Sequence, residues 1–105
     1  MGTVELTASQ WDAFTHADFA VADCYGDHCV ACVMLAPVFD AVADEMPGVS
    51  FGRINISNAP EIAGRYGIEA IPTMLFFRKG EKVHEASGSM EREELLAEMA
   101  KLLYQ

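Results

Sequence analysis

Basic side chains are scarce in this chain. Seven Lys and Arg stand against sixteen Asp and Glu, a formal net charge of −9. Phosphate contacts need cations, so a nucleic-acid binder is not expected, and an anionic membrane surface is disfavoured for the same reason. No window approaches the length of apolar run that spans a bilayer. Cysteine is sparse and odd in number, at three residues, too few for the disulfide framework of a secreted domain. The opening run, Met1 to Leu6, has no basic stretch followed by an apolar core. No export signal is read there, and the expected compartment is the reducing cytosol. Low-complexity tracts are missing, and Gly and Pro number eight and four, which excludes disordered and collagenous classes. What is there is a chain of 105 residues, 51% of them apolar. As a single domain over residues 1–105 it hides roughly two-thirds of its unfolded surface. A monomer is the default expectation.

Short apolar runs alternate with helical stretches. Thr7-Ala8-Ser9-Gln10 fits a capping box ahead of a short helix carrying Trp11 and Phe14. Phe19 to Tyr25 reads as a buried strand closed by Gly26. From Cys29 to Met46 apolar residues recur at helical spacing, at Leu35, Val38, Phe39, Val42 and Met46, and Pro37 should kink that helix. Val49 to Ile56 reads as a strand. Asn58 is the expected N-cap of the next helix, with Glu61 reaching back, and Gly67 is its C-terminal stop. Thr73 to Phe77 is a strand, and Arg78-Lys79-Gly80-Glu81 turns the chain into another over Lys82 to Ala86. Ser89 is expected to cap a last helix with Glu91, Glu93 and Glu94 in its first turn and Leu95, Leu96, Met99, Leu102 and Leu103 along its apolar stripe. The order is β-α-β-α-β-α, then a hairpin and a helix. That is a parallel unit with an antiparallel edge, a three-layer α/β sandwich.

The strongest chemical signal is Cys29-Val30-Ala31-Cys32. This spacing at the first turn of a helix brings two sulfurs within disulfide range. Unpaired N–H groups and the positive dipole end favour a thiolate at Cys29. Cys32 lies a turn deeper, so Cys29 attacks and Cys32 resolves. Cys24, Cys29 and Cys32 also mimic part of a plant-type iron–sulfur site, but a fourth Cys is lacking, and His16, His28 and His84 show no zinc spacing. The redox reading is preferred over metal. Cys24 reads as a small buried hydrophobe, the Met residues as core filler and Trp11 as structural. Strand alternation sets Asp23 among Phe19, Val21 and Tyr25, and burial should raise its pKa. Arg53 on a neighbouring strand is a candidate partner.

Together these residues resemble the thioredoxin family. The resemblance covers nearly the whole chain: Asp23 six residues before Cys29, the CxxC pair, Leu35-Ala36-Pro37, the loop Tyr66 to Thr73, and Gly88 after the edge strand. It implies a thioredoxin fold, a three-layer α/β/α sandwich with a mixed central sheet of about five strands and four helices. It implies a thiol–disulfide oxidoreductase that reduces protein disulfides with no bound cofactor, its electrons supplied by a thioredoxin reductase drawing on a nicotinamide. Asp23 would exchange a proton with Cys32 through water, and a cis Ile71–Pro72 bond would present the Ile71 backbone to an extended substrate, Pro72 itself blocking a metal there. Tyr25, His28 and Val30 complete the expected substrate rim. The chain departs from the family in several places. Val30-Ala31 replaces Gly-Pro, Val33 replaces Lys, Tyr25 and His28 replace two tryptophans, Arg53 replaces Lys, and Ser57 replaces an acid. A guanidinium should hold Asp23 more ionised than a Lys able to shed its proton. A charged His28 would favour the thiolate and a more oxidising couple; otherwise it is an exposed loop residue. Two further readings stay open: a more oxidising or isomerase-like member, and a binding module with little turnover.

Overall fold

The structure, a computed structural model, describes residues 2–104. In chain order it holds β1 (Thr3–Leu6), a 3-10 turn (Ala8–Gln10) running into α1 (Trp11–Thr15), β2 (Ala20–Tyr25), α2 (Val30–Glu45), β3 (Ser50–Asn55), α3 (Pro60–Tyr66), β4 (Thr73–Arg78), β5 (Glu81–Ser87) and α4 (Arg92–Leu103). The five strands form one sheet in the order β1-β3-β2-β4-β5. β1, β3 and β2 run parallel; β4 and β5 are antiparallel. This is the expected mixed sheet with four helices.

Strand alternation divides the core into two layers. Val21, Phe51, Met74 and Phe76 face one way and pack with Leu35, Phe39 and Val42 of α2 and Leu95, Met99 and Leu102 of α4. Ala20, Ala22, Cys24, Ile54, Leu75 and Phe77 face the other way, against Trp11 of α1 and Ile62 of α3. Trp11 is buried and structural, as expected. Its indole N–H donates to the Tyr66 hydroxyl at 2.9 Å. Met74, with no exposed surface, is core. The hairpin turn has positive φ at both Lys79 (51°) and Gly80 (91°), the backbone twist that two-residue hairpins favour. A Cβ on Gly80 would come within 2.7 Å of the His16 ring, so the turn is pressed against the end of α1.

Strand and helix limits differ from the sequence reading by a residue or two, and two helix caps differ in kind. Asn58 does not cap α3; Ala59 is the N-cap, without a side-chain bond, and Pro60 follows in the first turn. Pro60 has no N–H, so one of the donors a cap would satisfy is already missing. Ser89 does not cap α4 either. The helix begins after Glu91, whose backbone N–H donates to the Glu94 carboxylate at 2.8 Å. The preceding turn explains the offset: Gly88, at φ 93°, returns its N–H to the Pro72 carbonyl at 2.8 Å, and the chain needs the next residues to reach the helix axis.

Candidate active site

The central strand β2 and the N-terminus of α2 build the site. β2 ends at Tyr25, the chain turns through Gly26, Asp27 and His28, and Cys29 becomes the N-cap of α2. Gly26 lets Ile71 pack close, since a Cβ there would lie 2.8 Å from Ile71 Cδ1 and push that methyl aside. His28 is exposed and sits at φ 56°, a left-handed conformation. Ser57, which stands where the family commonly has an acid, clasps this loop. Its Oγ accepts the Asp27 N–H at 3.1 Å, while Asn55 Nδ2 donates to the Asp27 carboxylate at 3.0 Å.

Cys29 Sγ accepts the backbone N–H of Cys32 at 3.1 Å. It is the capping acceptor at the positive end of a sixteen-residue helix, the position that stabilises a negative sulfur. Cys29 and Cys32 are joined as a disulfide with their Cα atoms 5.2 Å apart. Cys32 is almost fully buried, whereas Cys29 is half-buried. The Ile71–Pro72 bond is cis, and the Ile71 carbonyl oxygen lies 3.8 Å from Cys29 Sγ. Beside the pair a groove of about 690 Å³ is lined by Tyr25, Val30, Cys32, Val33, Ala36 and Arg53, among others. Val30, Val33 and Met34 leave most of their surface in solvent, so the outer turn of α2 is an apolar rim.

Asp23 has no exposed surface. Its Oδ2 accepts Arg53 Nε at 3.0 Å, and its buried Oδ1 makes no hydrogen bond to any described residue. Burial pushes its pKa up to about 6; the Arg53 hydrogen bond and charge oppose this, and Glu5 and Asp40 add to it. Arg53 also lies over the Tyr25 ring, 4.1 Å from its centroid, and the Tyr25 hydroxyl donates to Glu5. Burial, then the Glu5 carboxylate, pushes the Tyr25 phenol up to about 12.

The structure therefore gathers Cys29, Cys32, Ile71, Pro72, Tyr25, His28, Val30, Asp23 and Arg53 at one end of the sheet. Cys24 stands apart: it is buried in the opposite layer, and burial pushes its thiol up to about 12. Among the described residues no three His, Cys, Asp or Glu gather as a metal site. Sequence reasoning missed Glu5 and Asn55. Both act through strand register and loop packing, which leave no local pattern.

The thioredoxin family model matches residues 2–101. A thioredoxin of Chlamydia caviae is 29% identical over 91 residues, covering 87% of this chain and 89% of that one. The solved structure of a Malassezia sympodialis thioredoxin superposes with a TM-score of 0.84 at 28% identity, over 95% of this chain and 89% of that one. That of a mutant Halobacterium salinarum thioredoxin gives 0.88 at 26%, over 98% and 92%. With the sheet order, the cysteine pair on its helix and these likenesses in agreement, the chain belongs to the thioredoxin family of thiol–disulfide oxidoreductases.

Proposed function

We propose that this protein reduces disulfide bonds in other proteins, cycling between a Cys29/Cys32 dithiol and the disulfide. The seat of Cys29 Sγ carries the reading. It takes the Cys32 N–H at the helix N-terminus and stands 3.8 Å from the Ile71 carbonyl, beside an apolar groove. An extended substrate segment pairs with the Ile71 backbone in strand fashion and rests on Val30. The Cys29 thiolate attacks one substrate sulfur; a mixed disulfide forms, and the second substrate sulfur leaves as a thiolate. Cys32 then gives its proton through water to Asp23 and attacks Cys29 Sγ. The Cys29–Cys32 bond forms, and the first substrate sulfur leaves. The orphaned Oδ1 of Asp23 and its raised pKa support this proton-accepting role. Two electrons have moved to the substrate; a thioredoxin reductase holding a nicotinamide cofactor returns them, and the proton on Asp23 goes back to Cys32. In this reading the protein works as a monomer in the reducing cytosol.

The test is the reduction potential of the pair, obtained by equilibration in defined dithiol buffers and counting of alkylated thiols by mass. A two-electron transition near about −270 mV supports a reductant, and one above roughly −200 mV makes the protein an oxidant or isomerase. Failure to form the Cys29–Cys32 bond would overturn the redox reading. Cys32→Ser should accumulate mixed disulfides with substrates, and Cys29→Ser should trap none.

A further inference from the structure

Three adjacent strands place a row of charge across one face of the sheet. Glu5 on β1 is in register with Arg53 on β3, and Arg53 is in register with Asp23 on β2. One guanidinium thus stands between two carboxylates. In the structure it is given wholly to one of them: Arg53 Nε donates to Asp23 at 3.0 Å, while Glu5 accepts from the Tyr25 hydroxyl. The Tyr25 ring lies beneath the same guanidinium, 4.1 Å from Arg53 Cζ, the stacking that a planar cation favours. We propose that Tyr25 is a positioning residue: its hydroxyl occupies Glu5 and its ring seats the guanidinium, so that Arg53 serves Asp23 alone.

The physical reason is competition. A Glu5 carboxylate with no hydroxyl to accept from would draw the neighbouring guanidinium toward itself and away from the buried acid. Asp23, with no hydration of its own, tolerates that loss only by holding its proton, so any drift of Arg53 toward the exposed Glu5 raises the pH at which Asp23 ionises. The charged groups about Asp23 are Arg53 from β3, Glu5 from β1 and Asp40 from α2, with the Cys24 thiol and the Tyr25 phenol on its own strand. β4 sets the uncharged Met74 opposite it. Arg53 is therefore the cation that favours the ionised acid, and its allocation decides at what pH Asp23 accepts a proton. This extends the proposed function, resting on Asp23 as the base for Cys32, by naming what regulates that base.

The experiment follows the Asp23 carboxyl carbon by NMR through a pH titration of the oxidised full chain, in the wild type, Tyr25→Phe, Glu5→Gln and the double variant. Tyr25→Phe keeps the ring and frees Glu5, and the Asp23 midpoint should rise by about half to one pH unit. Glu5→Gln removes a charge that opposes ionisation, and the midpoint should fall. The double variant should match Glu5→Gln, because the hydroxyl then has no competitor to occupy. An unchanged or lowered midpoint in Tyr25→Phe overturns the proposal, as does an upward shift that persists in the double variant. Turnover of insulin disulfides by the same proteins separates this proposal from the one beneath it. An acid limb that moves with the NMR midpoint supports both. A moved midpoint with an unmoved limb supports the allocation of Arg53 and overturns Asp23 as the base for Cys32; a moved limb with an unmoved midpoint overturns the allocation.

Discussion

A carboxyl with no exposed surface, bonded through one oxygen and orphaned at the other, ionises near pH 6 rather than at its ordinary 3.8. Its folded pKa lies above its unfolded one, so between those values the native state binds more protons than the unfolded chain. Stability therefore falls as pH rises through that window, and the deficit is complete above it. The span corresponds to about 3 kcal/mol. Asp23→Asn cannot ionise, and Arg53, one-fifth exposed, can turn toward water. The variant should be more stable than the wild type near pH 8, by up to about 3 kcal/mol, with the difference fading below pH 4. Urea unfolding of the oxidised proteins at the two pH values measures this, and a less stable variant at the higher pH would refute it. The same variant should turn over slowly, having lost the proposed base. Cys24, one residue along, makes the opposite case. Fully buried, with its thiol pushed up to about 12, it has almost no thiolate at neutral pH. In the reduced native protein iodoacetamide should reach Cys29 first and the almost fully buried Cys32 far more slowly, with Cys24 alkylated only in denaturant; an adduct mapped to Cys24 under native conditions would show that the packing around it opens.

Helix α4 shows where sequence patterns stop at the level of elements. Its apolar stripe, Leu95, Met99 and Leu102, is buried where the spacing places it, because 3.6-residue periodicity belongs to the helix itself. Its start is not fixed that way. Ser89 is the better capping residue by type, yet the turn at Gly88 sets the axis two residues further on, and Glu94 takes the Glu91 N–H. Glu94→Ala should cost about 1 kcal/mol of stability by thermal or urea unfolding, and Ser89→Ala close to none; equal losses would return the cap to Ser89. The same divide runs through the site. Cys29, Cys32 and Asp23 are legible because each is fixed by its own element, a helix first turn or a strand face, whereas Pro72 is singled out only by the resemblance of its loop to the family. Arg53 could be nominated because it lies on a neighbouring strand, but its pairing is a matter of register. Glu5 was invisible. β1 is four residues long and exposed at Val4 and Glu5, so the leading strand of the expected order has no range in the sequence pattern, and only the β1–β3 register brings that carboxylate to Tyr25.

Across the whole molecule, charge and contact are separated. Arg53, Arg65, Lys82, Arg92 and Lys101 each pair with a carboxylate, so most of the few cations are already matched and the net charge of −9 is carried by the remaining acids. The radius of gyration is 12.2 Å, comparable with the screening length of about 10 Å at 0.1 M salt, so a partner approaching any face meets that field at low salt. The rim beside Cys29 is apolar instead, formed by Val30, Val33 and Met34, and a contact of that kind is insensitive to salt. Encounter should then be selected by charge and docking by apolar fit. Two disulfide-bridged peptides with the same apolar flank, one bearing lysines and the other glutamates further out, test this through kcat/KM from about 10 mM to about 500 mM salt. The lysine peptide should react up to about tenfold faster at the low end, lose that advantage as salt rises, and converge with the glutamate peptide, whose rate climbs. If both peptides respond to salt alike, the net charge has no part in choosing substrates, and selection lies wholly with the apolar rim and the Ile71 backbone.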